Sequence, residues 1–104
     1  MTALDDREKA FENKFAHDEE VKFRVLARRN RLAGLWAAGE IGLGDRDAYA
    51  AEMSALDLLV SADTPTVGKL LHDFTAHGIR MDEAQIRRRL AEFQAEAGRQ
   101  VAAE

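Results

Sequence analysis

Apolar residues recur at helical spacing along nearly the whole chain, and no window alternates apolar with polar as a half-buried strand would. The first segment runs from about residue 3 to residue 38. Within DDREKAFENKFAHDEE (5–20), Phe11 and Phe15 join Leu4 on one helical face in a coat of charge. That face continues into Lys22 and Arg29, whereas the later stripe runs through Val25, Leu32 and Trp36, flanked by Leu26, Ala33 and Leu35. On a 3.6-residue helix the two stripes are offset by about a sixth of a turn. The offset predicts two functional pieces in one potential helix, joined near residues 17–21. Thr2 is the candidate N-cap, with Asp5 three residues on. Pairs Asp5–Lys9, Lys14–Asp18, Asp18–Lys22 and Glu20–Arg24 support the helix, each by about 0.2–0.5 kcal/mol.

Gly39, Gly42 and Gly44 then read as a loop between helices, since no strand precedes them to make a dinucleotide fingerprint. A second segment spans 46–60 on the face Tyr49, Met53, Leu56, Val60. The third opens with Thr64 as N-cap and Pro65 at the first helical position, buries Val67, Leu70, Leu71 and Phe74, and ends at Gly78. The fourth starts on a capping box, Asp82 with Gln85, and carries Ile86, Leu90, Phe93, Ala97 and Val101 inward. The expected fold is all-α: a four-helix bundle of residues 20–104, largely antiparallel, preceded by a flexible, potentially helical arm of residues 1–19. An isolated helix this short is marginal in water, so the arm is expected to be disordered when free.

Composition sharpens the class. The chain has 104 residues, 46% of them hydrophobic, one proline and no cysteine, which fits one small helical domain without disulfides or a thiolate metal site. The absence of any apolar stretch of about 18 residues, and of a signal-like leader, points to a soluble, cytoplasmic protein that does not insert in membranes. Net charge is −4. Seven acids and three bases in residues 1–20 account for all of it, so an acidic arm precedes a neutral body. Nucleic acid, which needs clustered positive charge, is excluded as the main partner.

Candidate chemistry is sparse. His17, His72 and His77 never fall at metal-ligand spacing, and Ser54 and Ser61 lack a nucleophile context. No residue set satisfies the requirements of an active site, so neither catalytic residues nor metal ligands are assigned. His17 reads as a surface imidazole, or else a pH sensor at the join. The basic run Lys22, Arg24, Arg28, Arg29, Arg31 and the triplet Arg87–Arg89 read first as solvated faces. Arg24, Arg28 and Arg31 share one face and are the candidates for an anion site, such as weak ADP or ATP binding. Trp36 is assigned to packing against the later helices. The arm itself has two open readings: it folds back on the bundle through Leu4, Phe11 and Phe15, or it is a helix-in-groove ligand whose apolar anchors need a foreign surface.

The stretches DDREKAFENKFAHDEE and ARRNRLAGLWAA resemble the zeta subunit, or ATPase-inhibitor, family of the α-proteobacterial F-type ATP synthase. The likeness is dense over about residues 5–43 and looser from 46 to 104. It implies a four-helix bundle led by a flexible inhibitory arm. That arm would fold into the cleft between a catalytic β subunit and its α neighbour, reach the γ rotor and stop rotation in the hydrolysis direction. Carried over by position, the inhibitory segment is about 2–19. Phe11 and Phe15 would be its apolar anchors, and Arg7, Glu8, Lys9, Glu12 and Lys14 its polar contacts. The resemblance further implies a non-enzymatic inhibitor, monomeric when free, held at the cytoplasmic face of the inner membrane through the synthase. The alternatives on the residues alone are a nucleotide-responsive helical module using Arg24, Arg28 and Arg31, or a bundle that dimerises through the arm.

Overall fold

The computed structural model describes residues 3–56 and 63–104, with side chains from His17 onward. Four helices, and no strand among the described residues, make the fold all-α: α1 (Ala3–Ile41), α2 (Arg46–Ser54), α3 (Thr64–Ala76) and α4 (Glu83–Ala102). α1 continues through residues 17–21 and on past Gly39, so Gly39 belongs to the helix and not to the loop. The stop is Gly42, whose φ of 86° is open to a residue without Cβ. Gly42 and Leu43 both donate their N–H to the Ala38 carbonyl at 2.9 Å, closing the last turn, and Leu43 packs on the core. Gly78 (φ 71°) ends α3 the same way: its N–H reaches Thr75 O at 3.1 Å, and Ile79 N–H reaches Phe74 O at 2.9 Å.

The helix starts follow local capping chemistry, with one correction. Asp82 accepts from Gln85 N at 2.7 Å while Gln85 Oε1 accepts from Asp82 N at 3.0 Å, the reciprocal box expected from the sequence. At α3 the N-cap is Asp63, with Thr64 already helical; the Asp63 side chain makes no cap bond, because its carboxylate is engaged by Arg29. α2 is shorter than the segment 46–60: it ends at Ser54, with Asp45 capping its start through Ala48 N at 2.9 Å. Leu56 packs on the core beyond the helix end, and Val60 lies outside the described residues, as does Thr2.

Side-chain ties fix the direction of each helix. Along α1, Arg24 meets Glu104, Arg28 meets Gln100, and Trp36 meets Phe93, so α4 runs antiparallel to α1. Asn30 reaches Met53 O and Gly34 touches Ala50, so α2 also runs back along it. Asn30 bonds Thr66 and Trp36 packs on Phe74, so α3 runs with α1. The result is an up-down-up-down bundle whose core is Ala33, Ala37, Tyr49, Met53, Val67, Leu70, Phe74, Ile86 and Leu90. Leu71, expected on the inner face of α3, is exposed instead. Trp36 is half-buried, edge-on to Phe74 (centroids 5.3 Å) and tilted on Phe93 (5.8 Å), with the Arg89 guanidinium stacked 5.2 Å from its centre.

The inward face of α1 differs from the stripe expected. Leu26, Arg29, Asn30, Ala33 and Ala37 are the buried line; Val25, Leu32, Leu35 and Trp36 are half-buried beside it. The small residues let α2 approach closely. A Cβ on Gly34 would stand 2.7 Å from Ala50 Cα and 3.0 Å from Met53 Cγ, so only glycine fits that crossing.

Candidate functional site

Where the charged residues of α1 go decides what this helix can do. Arg29 belongs to a run that reads as solvent-facing, yet only 1% of it is exposed. Its Nη1 donates to Asp63 Oδ1 at 2.7 Å and to Gln94 Oε1 at 3.2 Å; its Nε and Nη2 donate to Asn30 Oδ1 at 3.2 and 3.0 Å. Asn30 in turn donates from Nδ2 to Met53 O (3.1 Å) and to Thr66 Oγ1 (2.9 Å). One buried network therefore links α1 to the other three helices. No buried side-chain polar atom among the described residues lacks a partner, which is what makes a charge tolerable there.

This hub removes the offset between the two stripes. By helical register, the line Leu4, Phe11, Phe15 steps on through Lys22, Leu26, Arg29 and Ala33, by seven, four and three to four residues. That line is the face covered by the bundle. The periodicity argument missed it because Arg29 and Asn30 were counted as polar, hence outward. The signal was present in sequence: both sit one turn from Leu26 and one turn from Ala33.

The side chains of Leu4, Arg7, Glu8, Lys9, Phe11, Glu12, Lys14 and Phe15 lie outside the described residues; their backbone is part of α1. His17, Asp18, Glu19 and Glu20 are exposed, and so are Lys22, Phe23 and Arg24. Burial on α1 begins at Leu26. The last tie between α1 and α4 is Arg24 to Glu104, so the cover given by α4 stops level with Arg24.

The anion candidates are brought together but not left vacant. Arg24 and Arg28 both donate to the Glu104 carboxylate, and Arg28 also reaches Gln100 Oε1 at 3.1 Å. Hydrogen bonds from Arg28, and the charges of Arg28 and Arg24, hold the Glu104 carboxyl below its ordinary range. Arg31 is exposed, and no ion pair to it occurs among the described residues. In the second basic cluster Arg87 pairs with Glu83 at 3.0 Å and Arg89 with Glu92 at 2.7 Å, so these are surface pairs, as a solvated face would have.

A second polar cluster joins α2 to α3. Tyr49 Oη donates to Asp73 Oδ2 at 2.7 Å, and Lys69 Nζ sits 3.0 Å from the same oxygen and 3.5 Å from Glu52. Burial, reinforced by the adjacent Asp73, raises the Tyr49 phenol well above its usual range. Burial works to raise the Asp73 carboxyl, but the bonds from Tyr49 and Lys69 outweigh it and leave it lowered. None of this clusters around a concave reaction site. No group of three or more His, Asp or Glu stands as a metal cradle among the described residues, and no helix there is long and apolar enough to cross a membrane.

An all-helical bundle led by a long helix that outruns its neighbours is therefore built to present a surface. The family model described as ATPase inhibitor subunit zeta matches residues 1–100. The chain belongs to that family. No curated protein matches it. Zeta membership gives the chain an inhibitor's role toward an ATPase, that of a regulatory subunit. The zeta match includes both the leading half of α1 and the body, so the two belong to one functional unit.

Proposed function

We propose that this chain inhibits ATP hydrolysis by the F-type ATP synthase, its leading segment of about residues 2–19 inserting as a helix at the catalytic α–β interface near the γ rotor. The observation that carries the reading is the continuity of α1: the face covered by α2, α3 and α4 from Leu26 onward is, in register, the face of Leu4, Phe11 and Phe15, where the bundle no longer reaches. That line needs cover, and a cleft in the enzyme supplies it. Arg7, Glu8, Lys9, Glu12 and Lys14 flank the line and would set register and encounter rate. In this reading the chain is a monomer when free, bound to the cytoplasmic face of the inner membrane only through the synthase.

The energetics are workable. If the arm is unstructured when free, ordering it costs on the order of 1–2 kcal/mol per residue of backbone entropy. Burying two phenylalanines returns about 1.5–3 kcal/mol each, so the interface must extend beyond the pair. α1 also lowers the cost, because the bundle already holds the helix nucleus and the arm only propagates it. A nucleotide-responsive role for Arg24, Arg28 and Arg31 is less favoured, since a phosphate would have to displace Glu104 from two of them.

The deciding experiment is ATP hydrolysis by the cognate enzyme with the full chain, with a Phe11→Ala/Phe15→Ala variant, and with a chain lacking residues 1–18. The full chain is expected to inhibit and both others to lose inhibition, while the far-UV helix signal of the body persists. Full inhibition by the double variant refutes the anchor role. Sedimentation at two concentrations separates the monomer from an arm-paired dimer.

A further inference from the structure

The arm's line is not the only surface α1 offers. On the other side of the helix, nearly half a turn from Leu26, Arg24 and Arg31 flank a shallow depression of about 270 Å³, whose walls also include Phe23, Ala27, Arg28 and Ser54. Phe23 is 46% exposed, the most exposed large hydrophobic residue among those described. An aromatic ring ringed by three guanidiniums is costly to leave in water and unnecessary for the bundle, whose core it does not join. The depression already receives one acid: Glu104 sits across Arg24 and Arg28. The face thus recognises a carboxylate, in the forked geometry that guanidiniums favour.

We propose that Phe23, Arg24, Arg28 and Arg31 form a second docking surface, which receives an acidic segment of the inhibited enzyme carrying a carboxylate beside an apolar side chain. Glu104 is the internal occupant that this segment displaces. The proposal rests on the inhibitory reading above and deepens it. A helix wedged into a cleft meets two walls, and α1 presents an apolar line to one and this basic, aromatic face to the other. Charge complementarity selects a protein acid as the occupant. Arg31, which has no ion pair among the described residues, gives the incoming carboxylate a partner that Glu104 does not use.

The test uses the full chain and the cognate enzyme, comparing Phe23→Ala, Arg31→Glu, Glu104→Gln and the Phe11→Ala/Phe15→Ala variant by inhibition titration at about 20 mM and about 150 mM salt. Arg31→Glu is expected to weaken inhibition about tenfold at low salt and much less at high salt, as a steering charge does. Phe23→Ala is expected to weaken it about tenfold at both. Glu104→Gln, which removes the competitor, is expected to tighten it about threefold, taking the competing pair as a surface salt bridge. Thermal midpoints unchanged for Phe23→Ala and Arg31→Glu exclude a folding cause. Inhibition within twofold of the parent for both, with the arm variant inactive, overturns this surface and leaves the arm mechanism standing. If the arm variant is also unaffected, both fall. Amide shifts at Arg24, Arg28 and Arg31 on titrating ADP alone, with inhibition insensitive to Arg31→Glu, assign the face to a nucleotide and overturn the proposal.

Discussion

The stretch of α1 after residue 25 and the stretch from 17 to 24 are one helix under opposite constraints. In the first, every polar group facing inward is bonded across to another helix, and small residues bring α2 into contact. In the second, the side chains from 17 to 20 and 22 to 24 are exposed. The difference teaches that continuity of helix is not continuity of support. The bundle supplies a preformed turn on which the leading segment can grow, and leaves the choice of that segment's partner open. If so, changes to the first stretch should destroy the fold, and changes to the second should leave it intact.

The sharpest way to break this contrast is at Asn30. Asn30→Ala removes the acceptor of two Arg29 donors and the donor to Met53 O and Thr66 at once. It leaves a buried guanidinium short of partners, a change expected to cost about 3 kcal/mol. Thermal unfolding should show the midpoint falling by about 12 °C or more. A fall of only a degree or two would mean that water or repacking satisfies the hub and that the bundle does not depend on it. Gly34→Ala comes next. The added methyl meets backbone at Ala50, so α2 must move outward, at about 2 kcal/mol. Its unfolding midpoint should fall by roughly 8 °C, against the small gain in stability that Gly→Ala gives in an open helix.

These two positions also mark what the sequence disclosed and what it did not. Helix number, the box at Asp82–Gln85 and the stop at Gly78 were legible, because capping and left-handed turns depend on residues adjacent in sequence. Gly39 was misread because a glycine tolerated inside a helix looks the same as one that ends it. Arg29 and Asn30 were misread for another reason: a charge is assigned to the surface unless its partners are known. Those partners, Asp63, Thr66 and Gln94, lie more than 30 residues away. Of the candidate site, the apolar line of the arm was visible in the spacing. That Arg24 and Arg28 are held by Glu104 was not, since the pairing spans the bundle.

A smaller effect should follow from pH at the α2–α3 cluster. The Asp73 carboxyl is lowered in the folded chain, so it stabilises the fold above the ordinary carboxylate pKa of about 3.9, and that contribution is lost as pH falls through its folded value. At neutral pH, Asp73→Asn is expected to cost about 1 kcal/mol, the net worth of a hydrogen bond with Lys69 deprived of its counter-charge. The gap between parent and variant should close as pH is brought below the ordinary range. A gap that is constant down to acid pH would show that Asp73 acts by shape and not by charge.

The least effect on stability is expected from the exposed stretch. Glu19→Ala with Lys22→Ala changes two side chains that face solvent on a helix whose neighbours have not yet begun to cover it. Surface substitutions of this kind stay within about 0.5 kcal/mol, so the unfolding midpoint should move by no more than a few degrees. In the same protein, inhibition of the ATPase should weaken at low salt, because these charges lie between the arm's line and the Phe23 face and would steer both. Loss of stability comparable to Gly34→Ala would show instead that residues 17–24 are clamped by the body. The bundle would then reach further along α1 than Arg24, and the leading segment would have less of its length available to an enzyme.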